Sequence, residues 1–109
     1  MVIPDTVTEI GVSAFSGCTS LIDVEIGNSV KKLNNNVFNG CTSLTSVVIP
    51  DSVTDIDWYV FQNCTALKNI IIGDSVINTG NVAFSHCSMT NIAIPNNVKT
   101  ISNSSFFEC

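Results

Sequence analysis

Five cysteines punctuate this chain, at Cys18, Cys41, Cys64, Cys87 and Cys109, with three intervals of 23 residues followed by one of 22. The same intervals separate Phe15, Phe38, Phe61, Phe84 and Phe106, and again Ile3, Ile26, Ile49, Ile72 and Ile94. A period of this size means stacked coils, each covering the apolar face of its neighbour, since no single coil can bury that face alone. The chain is therefore expected to be one domain, residues 1–109, with repeats at 3–25, 26–48, 49–71 and 72–93 and a partial copy at 94–109.

Each copy reads in three parts. Leu21-Val24-Ile26, Leu44-Val47-Ile49, Leu67-Ile70-Ile72 and Met89-Ile92-Ile94 form an L-x-x-V-x-I pattern, β-branched and alternating at its end. It predicts a strand that pairs with its copies in a parallel sheet. A turn follows at Pro4-Asp5, Gly27-Asn28, Pro50-Asp51, Gly73-Asp74 and Pro95-Asn96, where proline and glycine alternate and an Asx side chain can bond the backbone ahead. Val7, Val30, Val53, Val76 and Val98 then return to the core, and Ile10, Leu33, Ile56 and Ile101 predict a short second strand. The last part, Ala/Val-Phe-x-x-Cys, has an i, i+3 spacing that suits one turn of α- or 3₁₀-helix. These parts make an α/β repeat solenoid with one parallel sheet face and short strand, 3₁₀ or helical turns elsewhere.

One cysteine at the same place in every coil is a core ladder. Side chains at equivalent places point the same way, whereas a disulfide needs converging bonds with a torsion near 90°; buried free thiols are expected. The net charge is −5 and the only cations are Lys31, Lys32, Lys68 and Lys99. Without a basic face, nucleic-acid binding and attachment to anionic lipid are excluded. No apolar run is long enough for a helical membrane span, and no leader segment opens these residues.

Several places break the pattern. The fourth copy has Thr79 where Ile or Leu is expected, with Ile77 out of phase beside it, and it loses one residue between Cys87 and Met89. That coil is the expected weak point of the stack. The third copy carries Trp58-Tyr59 where the others have mostly Val, Asn or Ser. Neither end supplies the polar cap usual in solenoids, which suggests a piece of a longer array, with Phe107 as a makeshift lid over the last coil.

The unit Ile3-Pro4-Asp5-Thr6-Val7-Thr8-Glu9-Ile10-Gly11, with Cys18-Thr19-Ser20-Leu21, resembles the BspA-like class of leucine-rich repeats, whose unit is also 23 residues. The third copy carries it as fully, and the resemblance covers essentially the whole chain. It implies a right-handed superhelix with a sheet on one side, and cell-surface or secreted proteins that adhere to host matrix proteins or to other cells. It carries over no ligand-contact residues, because the shared positions are structural.

Candidate chemistry is sparse, and no enzyme or cofactor is expected. The one histidine, His86, adjoins Cys87, but neighbouring residues on a coil diverge and Cys87 belongs to the ladder. Asp5, Asp51 and Asp74 stack with Asn28 and Asn96 in an acidic ladder; turn formation is sufficient reason for Asx there, and no metal is assigned. Asn63-Cys64-Thr65 and Asn103-Ser104-Ser105 fit the N-glycosylation pattern, which recurs by chance in so polar a chain. The solvent face of the sheet offers three columns as ligand contacts: Ile22/Thr45/Lys68/Thr90, Asp23/Ser46/Asn69/Asn91 and Glu25/Val48/Ile71/Ala93. The third is an apolar stripe where water should be. A contact surface explains it, and so does strand propensity for Val and Ile. The expected function is a protein-binding module acting through the strand face. The alternative is a structural spacer or self-assembling element that associates through uncapped ends.

Overall fold

A computed structural model describes residues 1–80, 82–88, 91–93 and 100–101. Met89, Thr90, Ile94, Pro95-Asn96, Val98, the Asn103 pattern, Phe106, Phe107 and Cys109 lie outside the described residues. The L-x-x-V-x-I segments become strands over at most their last four residues rather than all six: β1 (Val2–Ile3), β2 (Asp23–Ile26), β4 (Ser46–Ile49), β6 (Asn69–Ile72) and β8 (Asn91–Ala93). They pair in parallel in the order β1-β2-β4-β6-β8. The register is the repeat itself, with Val24 opposite Val47 and Val47 opposite Ile70. In β2, β4 and β6 the second and fourth residues are buried and the first and third face out, so strand alternation sets the core side.

The second strands are present too, but they pair with one another into a second sheet where a single parallel sheet face was expected. β3 (Lys32–Leu33), β5 (Asp55–Ile56), β7 (Asn78–Thr79) and β9 (Thr100–Ile101) form a four-stranded parallel sheet, and Ile10 bridges to Leu33 at its start. Thr79 takes the inward place opposite Ile56 and is buried, while Ile77 beside it is exposed. The fourth coil thus keeps the backbone path with a poorer core residue.

The third side corrects the sequence reading. Among the described residues there is no helix, and the solenoid is built of parallel strands and turns rather than α/β units. In the first coil Ala14, Ser16 and Cys18 donate back to the carbonyls of Gly11, Ser13 and Phe15 at 3.1–3.2 Å, closing successive turns. The intervening N–H groups of Ser13, Phe15 and Gly17 instead donate forward to Asn35, Val37 and Asn39 of the next coil, at 3.0, 3.0 and 2.8 Å. A helix would keep all these donors within its own segment; here alternate ones are spent on stacking. The geometry requires a left-handed residue at two fixed places per coil. They are Ser13, Asn36, Tyr59 and Val82 at one, and Gly17, Gly40, Asn63 and His86 at the other, with φ between 50° and 75°.

Inside, Phe15, Phe38, Phe61 and Phe84 stack with centroids 5.4–5.6 Å apart and planes within 10° of parallel. Cys18, Cys41, Cys64 and Cys87 are free thiols. Each of the last three donates to the phenylalanine carbonyl one coil back: Cys41 Sγ to Phe15 at 3.2 Å, and Cys64 to Phe38 and Cys87 to Phe61 at 3.1 Å. Burial pushes the Cys64 thiol from 9.0 up to about 12, and Cys41 moves the same way for the same reason. A raised thiol stays protonated, which suits Cys41 and Cys64 as donors.

The corner between the two sheets carries a longer period, of two coils. A Cβ on Gly27 would lie 2.5 Å from the Pro4 carbonyl oxygen, and one on Gly73 would lie 2.7 Å from that of Pro50. Backbones approach there too closely for any side chain in the glycine coil. The following N–H is then bound by the proline coil: Asn28 donates to Asp5 Oδ1 and Asp74 donates to Asp51 Oδ1, each at 2.9 Å.

Candidate ligand-binding face

Two of the three expected columns sit on the outer face of the five-stranded sheet. Parallel register aligns Asp23, Ser46, Asn69 and Asn91 in one row, and Glu25, Val48, Ile71 and Ala93 in the next. The remaining column lies one residue ahead of the strands, where the chain bends into them. There Thr45 N–H donates to the Ile22 carbonyl at 2.8 Å and Lys68 N–H to that of Thr45 at 3.1 Å, so Ile22, Thr45 and Lys68 stay aligned and exposed. Thr90, the fourth member, lies outside the described residues.

The row that carries the apolar stripe has one more member than the sequence suggested, on the far side of Glu25. Val2 pairs with Glu25, so the row runs Val2, Glu25, Val48, Ile71, Ala93. Val2 is 68% exposed, Val48 47% and Ile71 62%. These side chains gain nothing from the core, and Ile22 at the bend is exposed in the same way. The signal for Val2 was available: it stands 23 residues before Glu25.

Sequence reasoning also treated the Pro/Gly-Asx corner as a turn and no more. In space it rises beside the apolar row, and the two enclose a groove of about 690 Å³ across four coils. Its lining combines Val2, Glu25, Val48 and Ile71 from the strands with Pro4-Asp5, Gly27-Asn28, Pro50-Asp51 and Gly73-Asp74 from the corner. Asp5, Glu25, Asp51 and Asp74 are among its lining residues, and no lysine is among the described ones. Lys32 is elsewhere, 3.3 Å from Asp57 in an ion pair beside the second sheet. The alternation of proline and glycine ahead of Asx was the signal for the corner side.

The other candidates fall outside the groove. Cys87 Sγ points at the Phe61 carbonyl and is buried, while His86 follows the turn backbone at one of its left-handed places. Asn63, in a glycosylation pattern, is exposed, and its N–H donates to the Ser85 carbonyl at 3.0 Å. Among the described residues no group of acidic, histidine or cysteine side chains has the arrangement of a metal site, and no helix is long and apolar enough to cross a membrane.

Comparison with known proteins places these features in a family. Residues 1–109 match the profile described as BspA type leucine rich repeat region, in 6 copies. A leucine-rich repeat protein of T. pallidum is similar over 100% of this chain and 54% of its own, with 31% identity and a TM-score of 0.95. One from Bacteroides ovatus is similar over 97% of this chain and 30% of its own, with 30% identity and a TM-score of 0.89. A leucine-rich cell surface protein of Faecalibacterium prausnitzii covers 99% of this chain and 36% of its own, with 34% identity and a TM-score of 0.71. The chain thus spans between about a third and a half of those proteins' length. No curated protein sequence matches it.

Proposed function

Since this chain belongs to the BspA-type leucine-rich repeat family, we propose that it is the ligand-binding part of a cell-surface protein, adhering to host matrix or another cell's surface proteins through its strand face. Leucine-rich repeats are in general protein-interaction scaffolds, and the Faecalibacterium relative is itself described as a cell surface protein. The observation that carries the reading is the exposed row of Val2, Val48 and Ile71 in a groove. Exposed apolar surface set among polar groups is the anatomy of a protein-binding site. The contacts proposed are Ile22, Asp23, Glu25, Thr45, Ser46, Val48, Lys68, Asn69, Ile71, Thr90, Asn91 and Ala93, now joined by Val2.

Solid-phase binding of the full chain to an immobilised extracellular-matrix preparation tests this. Saturable binding is expected, weakened roughly tenfold or more by Ile71→Lys, as for a central apolar contact. Val12→Lys, an exposed residue on the turn side, should leave it unchanged. Binding that ignores Ile71→Lys, or none by the unaltered chain, overturns the reading.

A further inference from the structure

The groove beside the strands is specific in its chemistry, and that chemistry selects a partner. Its lining residues include the aliphatic Val2, Val48 and Ile71 and the acidic Asp5, Glu25, Asp51 and Asp74. We propose that it takes an extended peptide segment of a partner protein in which lysine or arginine alternates with aliphatic residues. The proposal rests on the strand-face reading above and goes further by naming the chemistry of the occupant.

Three observations point to that occupant. Asn28 holds in the second coil the place that Asp5, Asp51 and Asp74 hold in the others, so the turn itself forms there without a charge. Asp5 and Asp51 each give one oxygen to a backbone N–H, yet with Asp74 and Glu25 they leave the groove with four acidic lining residues and no lysine among the described ones. A walled cleft of one sign concentrates its field and draws oppositely charged ligands. Next, the aliphatic row lies along the strand side, so an all-polar polycation would leave it unmet. Finally, the groove crosses four coils, and at the roughly 4.8 Å spacing of neighbouring strands its length is about 14 Å, four or five residues of extended chain. A second copy of this chain, itself carrying net charge −5, has the wrong sign, and nucleic acid is repelled outright.

The test uses the full chain with labelled methyl groups, titrated with three pentapeptides: Lys-Val-Lys-Val-Lys, Lys-Ser-Lys-Ser-Lys and Glu-Val-Glu-Val-Glu. Only the first should shift the Val48 and Ile71 methyl resonances, and its affinity should fall several-fold between about 50 and 200 mM salt as screening sets in. The variant Asp5→Asn/Asp51→Asn/Asp74→Asn keeps side-chain oxygens for the N–H groups of Asn28 and residue 74, so it should fold and bind the peptide about tenfold more weakly. Shifts elsewhere, equal shifts from the serine peptide, salt-independent binding, or undiminished binding by the folded variant would each overturn the proposal. If matrix binding remains sensitive to Ile71→Lys while Lys-Val-Lys-Val-Lys does not bind, the basic occupant is wrong and the strand-face reading stands. Groove binding of that peptide without any matrix binding means the converse: the basic occupant is right and matrix adhesion is wrong.

Discussion

The strand side and the turn side both join coil to coil through backbone hydrogen bonds, yet they ask opposite things of the sequence. On the strand side the backbone is extended, any β-branched residue is comfortable, and only alternation matters. Ser46-Val47-Val48-Ile49 and Asn69-Ile70-Ile71-Ile72 satisfy it with little else specified. On the turn side two residues per coil must adopt positive φ, and the residues at the first of these places run Ser13, Asn36, Tyr59, Val82. Asparagine is at ease there, whereas a β-branched valine at φ 50° is strained. The turn path therefore persists into coils whose own residues do not favour it. What holds it is the phenylalanine stack beneath and the N–H groups donated sideways, not local preference.

The largest expected effect comes from removing that support. Phe61 is fully buried between Phe38 and Phe84, with centroids 5.4 and 5.5 Å away. Phe61→Ala should destabilise the chain by roughly 3–5 kcal/mol in denaturant unfolding, a large share of the roughly 5–15 kcal/mol typical of a domain. Ile70→Val, at a buried place on the strand side, should cost about 0.5–1.5 kcal/mol. Hydrogen exchange sharpens the contrast: Phe61→Ala should selectively expose the N–H groups that cross between coils on the turn side, those of Phe38, Gly40 and Asn63. Uniform loss of protection on both sides would mean that the stack serves the whole coil equally.

A smaller effect, of opposite sign, follows from the strain itself. Val82→Asn places in the fourth coil the residue that coil two already carries at Asn36. Left-handed backbone costs a non-glycine residue roughly 1–2 kcal/mol, and asparagine relieves part of it through local hydrogen bonding. A gain of about 1 kcal/mol is expected, read as a raised denaturant midpoint with unchanged slope. A loss would show that packing of the valine, which is partly buried, outweighs its strain.

The same contrast explains what could be read without coordinates. The period, the first parallel sheet, the inward residues and the free-thiol ladder follow from spacing and alternation alone, whereas the pairing of the short second strands into a sheet of their own was not foreseen. The turn side was misread because Phe15 and Cys18, three apart, suit a helical turn as well as a β-turn. The distinction lies in where N–H groups go, and spacing is silent on that. The clue was chemical: Gly17, Gly40 and Asn63 recur at one place, and those are residues that tolerate positive φ. The groove was half legible for a similar reason. Its strand side repeats with the coil, while its corner side alternates proline and glycine, and only stacking brings Asp51 and Val48 to one cleft.

The smallest expected effect decides between the two explanations of the apolar row. If Val48 and Ile71 are there only because strands prefer such residues, replacing one by another good strand former should matter little to anything. If they are contacts, the fold should be indifferent and the binding should not. Ile71→Thr keeps β-branching and the parallel pairing with Val48 and Ala93. It trades exposed methyl surface for a hydroxyl, and at 62% exposure its stability change should stay within about 0.5 kcal/mol. Affinity for the matrix preparation should nonetheless fall measurably, though less than with Ile71→Lys, since the substitution removes apolar area without adding a cation. A melting curve displaced by more than about 1 kcal/mol, with binding intact, would make the row part of the scaffold, joining it to the strand side's demand for propensity rather than to the groove.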